Sequence, residues 1–352
     1  MLIRPARAVP KDKGGTQVNK TLLLLMPAAT AIFLACDNGV HYCDTDLEYQ
    51  FHQLLPIPDE GWMADPHVIR VGCTWYLYAT HSQVDLQVWY SDDLTNWTQG
   101  PTIWAPTQDW QTEGNLCGIW APHVEPAGDK FFLYYSANCR IGVAVANDPL
   151  GPFVDVYDHP LVGNGYGGVG DGQLVNDLFL DYDDLAIDAF VLQTAGGQRI
   201  LFHNAFTPAS TVHAQEMPDF VSVSGKPLVM IEPDLNSWEG FIREGTWVLE
   251  HDGVFHLMYS GNDCFTAEYA IGVATATNPM GPYVRDPRNP ILQKNPESEF
   301  WGPGHHSVTY DATGNPLMFY HTKTTPDQGE DRLVRYGPLW FDELGRVNVE
   351  QP

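Results

Sequence analysis

The chain has 352 residues, of which 44% are hydrophobic and 12% aromatic, enough for one large domain with a substantial core. Its 44 acidic residues against 18 lysines and arginines give a formal net charge of −26 with neutral histidines. A surface of this sign repels phosphate backbones and anionic lipid headgroups, which argues against nucleic acid as a partner, whereas a neutral polysaccharide meets no such penalty.

The N-terminal segment is typical of an export signal. Lys20 precedes an apolar run over residues 21–35, which has the length of a signal peptide rather than of a membrane span. The run ends at Phe33-Leu34-Ala35-Cys36, which resembles the bacterial lipobox, whose cysteine is lipidated and becomes the new N-terminus. We predict a lipoprotein-type signal peptide over residues 1–36 and an exported protein whose membrane contact is a lipid at Cys36. Secretion without an anchor is the alternative.

Residues 37–59 are expected to form a polar tether and an entry strand, ahead of a single domain over residues 60–352. Beyond Cys36 an odd number of cysteines remains, so at least one thiol should be free or intermolecular in an oxidising compartment. Their spacing dictates no disulfide pairing and fits no metal site. They are Cys43, Cys73, Cys117, Cys139 and Cys264.

One short pattern recurs along the domain. Asp65 stands just before a predicted strand at Trp75–Tyr78, and residues 121, 188, 244 and 305 take the same place before later strands. The steps between these positions are 56, 67, 56 and 61 residues, close to the period of a propeller blade with long loops. The strands that follow the later copies are Phe132–Tyr134, Ile200–Phe202, His256–Met258 and Met318–Tyr320.

A second repeat supports internal duplication. Residues 141–153 are nearly copied as residues 271–283, and both copies end in a Gly-Pro followed by an aromatic residue. The repeats predict an all-β fold, a five-bladed β-propeller. Because equivalent positions of all blades face one axis, a ring is expected at the channel mouth. Its members are Asp65, Ala121, Asp188, Glu244 and His305.

The motifs in this order resemble family 43 of the glycoside hydrolases, over about residues 60–345. That family consists of five-bladed propellers, mostly inverting α-L-arabinofuranosidases, β-xylosidases and endo-arabinanases. The motifs that carry the resemblance are Ala64-Asp65-Pro66, Trp120-Ala121-Pro122, Ile187-Asp188, Arg243-Glu244-Gly245 and Gly302-Pro303-Gly304-His305.

The resemblance implies a role for each site residue. Asp65 would be the general base, Glu244 the general acid, and Asp188 the residue that orients the acid and adjusts its pKa. His305 matches a histidine near the axis that binds substrate and contacts a calcium ion through water, although the reaction requires no cofactor. Arg332 would correspond to a substrate-binding arginine of the family.

Three positions leave alternatives open. Trp120 and Trp62 could each stack on a sugar ring or simply fill the core. The third carboxylate is also open, because the acidic cluster 176–183 resembles the family motif as well, which makes Asp177 a rival of Asp188. Asp188 is preferred because it keeps the blade phase. The Gly- and Asp-rich segment Gly163–Asp184 is expected either to line the cleft or to lie on the surface.

The chemistry follows from two carboxyl groups. Hydrolysis with inversion needs one protonated carboxyl at the leaving oxygen and one carboxylate that activates water on the opposite face. Glu244 must therefore hold a proton near neutral pH, through an apolar setting or a like charge. Asp188 is expected to supply that charge and Trp247 the apolar wall, while strand alternation turns Arg243 away.

We therefore predict an exo-acting α-L-arabinofuranosidase or β-xylosidase. Its substrates would be oligosaccharides derived from arabinan, arabinoxylan or xylan. An endo-α-1,5-L-arabinanase is one alternative. A non-catalytic carbohydrate-binding propeller is another, and would keep the aromatic residues but lose a carboxylate.

Overall fold

The computed structural model of the protein describes residues 52–57, 61–114, 117–163, 185–206, 210–232 and 234–352. The predicted signal peptide with Cys36, most of the tether, the rival carboxylate Asp177 and nearly all of the Gly163–Asp184 segment lie outside these residues. Within them, no helix is both long and apolar enough to span a membrane.

Strands dominate the described residues, with two 3-10 turns at Asp109–Gln111 and Pro296–Ser298. The strands are β1 (Gln53–Leu54), β2 (Ala64–Val71), β3 (Thr74–Thr80), β4 (Leu86–Ser91), β5 (Thr98–Trp104), β6 (Ile119–Ala127), β7 (Lys130–Ala137), β8 (Arg140–Ala146), β9 (Val154–Asp155), β10 (Ala186–Gln193), β11 (Arg199–Phe206), β12 (Ser210–Asp219), β13 (Ser222–Val229), β14 (Arg243–His251), β15 (Val254–Gly261), β16 (Ala270–Ala276), β17 (Val284–Arg285), β18 (Trp301–Tyr310), β19 (Pro316–Lys323), β20 (Arg332–Pro338), β21 (Trp340–Phe341) and β22 (Val347–Asn348).

In the described part of the chain, these strands form five four-stranded antiparallel sheets and one two-stranded ribbon, β21–β22. Four sheets are sequential, namely β2 to β5, β6 to β9, β10 to β13 and β14 to β17. The fifth has the order β1-β20-β19-β18, so its outermost strand comes from the other end of the chain. The five sheets are the blades of a ring, which confirms the predicted five-bladed β-propeller.

Apolar side chains hold each blade to the next. In β3, Trp75 and Leu77 pack in a core cluster shared with the fifth blade, while Tyr78 points the other way into a cluster shared with the second. This split follows from the two-residue period of a strand that is buried on both faces. Among the described residues there are five such clusters, and each one lies between a pair of neighbouring blades and joins them.

The ring is closed by the strand that precedes the first blade. In β1, Gln53 pairs with Tyr336 and Leu54 with Arg335. The N–H of Leu55 then donates to the carbonyl of Val334 at 2.9 Å. The entry strand predicted before residue 60 is therefore the outer edge of the fifth blade.

The innermost strand of every blade has a β-bulge near its start. The register slips between Ala64 and His67 in the first blade, and at the matching point in the other four. One residue in each bulge has a positive φ, between 43° and 59°. Bulges of this kind bend a strand and re-aim its side chains, and they are common beside active sites. The five positive-φ residues are Asp65, Ala121, Asp188, Gly245 and His305.

Candidate active site

The three predicted carboxylates share one cavity at the end of the ring where the bulges lie. The cavity has a volume of about 330 Å³, and Asp65, Asp188 and Glu244 all line it. Each of these residues is less than a tenth exposed. Of the other predicted site residues, Trp120, His305 and Arg332 also line the cavity. The sequence therefore identified residues that the fold brings together from all five blades.

The predicted ring is wrong at one position. The residue equivalent to Asp65 and Asp188 in the fourth blade is Gly245, which has the same left-handed backbone, with φ at 58°. Glu244 lies one residue earlier, at the position that Trp120 takes in the second blade, and the register of β14 against β15 shows this shift. Because neighbouring side chains of a strand point in different directions, Glu244 faces the side of the cavity rather than the axis.

A repeated hydrogen bond links each blade to the next at this level. The N–H of Asp188 donates to Ser136 Oγ at 3.0 Å, and the N–H of His305 donates to Ser260 Oγ at 2.8 Å. Thr80 Oγ1 accepts the N–H of Ala121 at 2.8 Å in the same way. For the fourth blade the acceptor is Asp188 of the third blade, whose Oδ2 accepts the N–H of Gly245 at 3.3 Å. The bulge backbone is thus satisfied although it lies outside the strand ladder.

Asp65 is surrounded by groups that favour its ionised form. Thr80 Oγ1 donates to Asp65 Oδ2 at 2.7 Å, and His305 Nδ1 lies 3.1 Å from Asp65 Oδ1. Arg332 adds a positive charge 3.9 Å from the same oxygen. Burial opposes ionisation, but His305, His321 and Arg332 outweigh it and hold the pKa of Asp65 well below its ordinary value. The N–H of Asp65 also lies 3.2 Å from His321 Nδ1, and the same ring nitrogen lies 3.5 Å from Asp65 Oδ1.

Glu244 has the opposite setting. Burial raises its pKa to about 7, the charge of Asp65 adds to the shift, and a hydrogen bond from Tyr269 works against it. The Tyr269 hydroxyl donates to Glu244 Oε1 at 2.7 Å. The cavity beside Glu244 is apolar, with walls that include Ile242 and Cys264. Near neutral pH this carboxyl can therefore keep a proton.

Asp188 also resists ionisation. Burial raises its pKa well above the ordinary value, and the charges of Glu244 and Asp65 raise it further. His305 Nδ1 lies 3.9 Å from Asp188 Oδ2. Burial and the charge of Asp65 thus raise the pKa of Glu244. From the sequence we expected the negative charge of Asp188 to have this effect. Asp188 and Glu244 are linked because ionisation of Glu244 disfavours that of Asp188.

Trp247 does not form the wall beside Glu244 that the sequence led us to expect. Its ring lies at the axis, 5.6 Å from the ring of His67 and 4.5 Å from that of Phe190. Arg243 turns away from the cavity as predicted, and pairs with the fully buried Glu239 at 3.3 Å. Strand alternation explains the orientation of Arg243, while the bulge between Glu244 and Trp247 reverses the expectation for Trp247.

Arg332 and the two predicted tryptophans occupy different parts of the site. Arg332 Nη2 contacts Glu330 Oε2 at 3.0 Å, and its Nε is buried without a hydrogen-bond partner in the described chain. Its guanidinium carbon lies 5.8 Å from the ring of Trp62 and 5.6 Å from that of Phe265. Trp62 thus packs against Arg332. Among the described residues, Trp120 lines the cavity and Trp62 does not.

The cavity on the axis below the site is too small for the predicted calcium ion. The cavity there has a volume of about 20 Å³, room for one water but not for a cation with its hydration shell. Thr246 Oγ1 and both ring nitrogens of His306 are buried beside it without a partner in the described chain. No cluster of three or more His, Cys, Asp or Glu side chains in the described ranges has a metal-binding arrangement. Calcium remains a prediction from resemblance, and no step below uses it.

Sequence reasoning missed several residues of the site. Thr80 and Tyr269, which hold the carboxyl groups, come from strand ends and loops without a motif. The cavity wall also contains the disulfide Cys117–Cys139, and Cys264 is a free thiol, as the odd number of cysteines predicted. Gly304 leaves room for Tyr269, but the fold alone shows this contact. A Cβ at Gly304 would lie 1.9 Å from the Tyr269 ring.

Known proteins resemble this chain over most of its length. A family model described as glycosyl hydrolases family 43 matches residues 59–340. A β-D-galactofuranosidase of Aspergillus niger is 30% identical over 82% of this chain and 82% of its own length. An extracellular endo-α-(1→5)-L-arabinanase of Thermotoga petrophila is 26% identical over 80% of this chain and 69% of its own. The crystal structure of a thermostable family-43 glycoside hydrolase superposes with a TM-score of 0.70 at 29% identity, covering 85% of this chain and 96% of that one.

Proposed function

The chain belongs to family 43 of the glycosyl hydrolases and is a glycoside hydrolase, and we propose that it removes single sugars from arabinose- or xylose-containing glycans with inversion. One observation carries the proposal. Asp65 and Glu244 line the same cavity, but their surroundings favour opposite protonation states. An ionised and a protonated carboxyl at one site are the pair that inverting hydrolysis requires.

In the proposed reaction, Asp65 accepts a proton from a water molecule that attacks the anomeric carbon. Glu244 donates its proton to the glycosidic oxygen, which leaves as a hydroxyl group. The bond from water forms on the face opposite the bond that breaks, so the anomeric configuration inverts. Asp188 holds the N–H of Gly245, the residue next to the acid, and so positions the strand that carries Glu244. Arg332 and His305 keep Asp65 ionised and are available to substrate hydroxyls.

The size of the cavity favours action at chain ends. Its volume of about 330 Å³ is at the small end of the range for ligand sites, roughly 300–1,000 Å³. We take the substrates to be oligosaccharides derived from arabinan, arabinoxylan or xylan. The relative from Thermotoga petrophila is named an endo-arabinanase and supports the alternative of internal cleavage. Early products decide between them, because an exo-enzyme releases monosaccharide from the start and an endo-enzyme releases mixed oligosaccharides.

A second candidate substrate is a β-D-galactofuranoside. The relative from Aspergillus niger is named for this activity and matches four-fifths of both chains. β-D-Galactofuranose has the ring configuration of α-L-arabinofuranose with a longer exocyclic arm, so the same carboxyl groups could act on both. Activity on the aryl glycoside of each sugar, measured side by side, ranks the candidates.

The test of the proposed function is the replacement Glu244→Gln, which keeps the size of the side chain but removes the transferable proton. We expect kcat to fall by at least the roughly 10²–10⁴-fold typical of general-acid catalysis. The loss should be larger for an oligosaccharide than for a 4-nitrophenyl glycoside, because nitrophenolate leaves without protonation. Glu343→Gln, at an exposed position that does not line the cavity, is the matched control.

The outcomes separate an enzyme from a binding module. A Glu244→Gln variant as active as the wild type on oligosaccharide would remove Glu244 from the role of acid. If the wild type and the variant are equally inert on arabinofuranosides, xylosides and galactofuranosides yet bind oligosaccharides, the protein is a carbohydrate-binding propeller.

We further propose that the protein is exported and anchored by a lipid at Cys36. The apolar run before Cys36 supports this, and the arabinanase relative is named as extracellular. Expressed in bacteria, the wild type should incorporate labelled palmitate and fractionate with membranes, and Cys36→Ser should do neither. If the wild-type protein is found in the medium without palmitate, the lipid anchor is contradicted and the protein is secreted without an anchor.

A further inference from the structure

One wall of the active-site cavity is built from two neighbouring blades. Gln83 lies in the loop between β3 and β4 of the first blade, and Trp120 lies in β6 of the second. Both residues line the cavity, and the indole N–H of Trp120 donates to Gln83 Oε1 at 2.8 Å. Gln83 is exposed, whereas the three carboxylates are buried. The Gln83–Trp120 pair therefore stands at the mouth of the cavity.

The hydrogen bond fixes which way the amide of Gln83 faces. An indole nitrogen can only donate, so the atom of Gln83 that it contacts must be the carbonyl oxygen. The usual ambiguity between the oxygen and nitrogen of a glutamine amide is absent here. The NH₂ group then points away from Trp120, and it donates to no acceptor among the described residues. Two N–H donors in a fixed orientation are left for a ligand.

The pair packs directly against Gly118. A Cβ on Gly118 would lie 1.7 Å from Gln83 Oε1 and 2.8 Å from Trp120 Nε1, so any side chain at Gly118 would displace the pair. The preceding residue, Cys117, is joined by a disulfide to Cys139 in the turn between β7 and β8. The segment before Trp120 is thus tied to its own blade on one side and to Gln83 on the other.

We propose that Gln83 donates a hydrogen bond to the sugar on the leaving-group side of the cleaved bond, while the ring of that sugar stacks on Trp120. This inference rests on the proposed function. The carboxylates must surround the bond that breaks, so the sugar released from the chain end occupies the buried part of the cavity. The leaving group then lies at the exposed mouth. An aromatic face beside a fixed polar donor suits a sugar, which has apolar ring faces and hydroxyl groups at its edge.

The experiment compares two substrates that differ in the leaving group. One is an oligosaccharide of the sugar that the wild type cleaves, and the other is the 4-nitrophenyl glycoside of that sugar, which has no hydroxyl for Gln83. Gln83→Met keeps the length of the side chain without the amide. The ratio of kcat/KM for oligosaccharide to kcat/KM for aryl glycoside should fall by about 2- to 12-fold, the effect of one lost hydrogen bond.

A second variant tests the orientation of the amide by Trp120. Trp120→Phe keeps an aromatic face but removes the indole N–H, so it should lower the same ratio. Both changes break the same hydrogen-bonded pair. The fall in the kcat/KM ratio of the double variant should therefore be smaller than the product of the falls in the two single variants. Gln198→Met is the matched control, because Gln198 is an exposed glutamine in the turn between β10 and β11, at the end of the blade away from the cavity.

The possible results are distinct. An active wild type whose substrate ratio is unchanged by Gln83→Met would overturn the inference and leave the proposed function intact. Single effects that multiply in the double variant would overturn the coupling between Gln83 and Trp120. A wild type that cleaves neither substrate would overturn the proposed function and the inference with it.

Discussion

Two carboxyl groups of the same chemistry have different protonation behaviour because their neighbours differ. Asp65 has Arg332, His305 and a hydroxyl donor around one carboxylate, and its pKa lies well below the ordinary value. Glu244 is buried against apolar walls, and its pKa rises to about 7. At a pH between these two pKa values, Asp65 is ionised while Glu244 is protonated in the same molecule. The active form of the enzyme is thus set by local surroundings.

The pH dependence of kcat/KM tests this assignment. Activity should fall as pH rises through about 7, because Glu244 loses the proton that it must donate. The hydroxyl of Tyr269 stabilises the ionised form of Glu244, so Tyr269→Phe should raise the pKa of Glu244 and move the alkaline limb to higher pH. The Phe variant keeps the ring that stacks on His321. A limb that stays in place or moves to lower pH would contradict the assignment.

At the level of elements, the β-bulges bring the site together. Each innermost strand turns at its bulge, and in all five described blades a side chain from the neighbouring blade accepts the N–H that the turn leaves outside the ladder. Thr80 does this for Ala121 and at the same time donates to Asp65. The joint between the first and second blades therefore also holds the proposed general base.

Replacing Thr80 with valine tests this double role. Thr80→Val keeps the shape of the side chain but leaves the buried N–H of Ala121 without its acceptor. We expect a loss of about 1–3 kcal/mol in the free energy of unfolding, measured in urea, together with a lower kcat/KM. Thr98→Val, on the exposed face of β5, is the control and should change stability by less than about 0.5 kcal/mol. Equal stability of the two variants would show that the linkage is not structural.

The sequence predicted the blades and most of the site because the repeats recur at a nearly constant step. It misplaced Glu244 by one position, since loops of different length make the step between blades vary, and the motif spacing therefore does not fix a strand position to a single residue. Tyr269 and Gln83 could not be predicted, because each reaches the cavity from a loop whose path depends on packing between blades. Trp62 was matched to the site from its place beside Asp65, but the fold turns it onto Arg332.

For the whole molecule, closure of the ring determines whether the carboxylates meet. Asp65 comes from the first blade and Glu244 from the fourth, and their distance is fixed only when the fifth blade joins the first. That joint is made by β1 and by Leu55, which packs with Phe319 and Val334 in the cluster between the two blades. A short segment ahead of the first blade thus supports a site distant from it in sequence.

Two adjacent leucines provide a matched test of closure. Leu55 is 5% exposed and Leu54 is 44% exposed, because they lie on opposite faces of the same segment. Leu55→Ala should reduce the free energy of unfolding by about 2–5 kcal/mol, as is typical of a buried leucine. Leu54→Ala should cost less than about 0.5 kcal/mol. Similar values for the two variants would mean that the β1 segment does not close the ring in solution.

The central claim is that Asp65 directs a water molecule while Glu244 protonates the leaving oxygen. The anomer that is formed first, observed by proton NMR before mutarotation, tests it most directly. If an aryl α-L-arabinofuranoside is the substrate, the prediction is that β-arabinofuranose appears first, because one displacement by water inverts the centre. If α-arabinofuranose appears first, the reaction passes through a covalent intermediate, and the roles assigned to the two carboxyl groups are wrong.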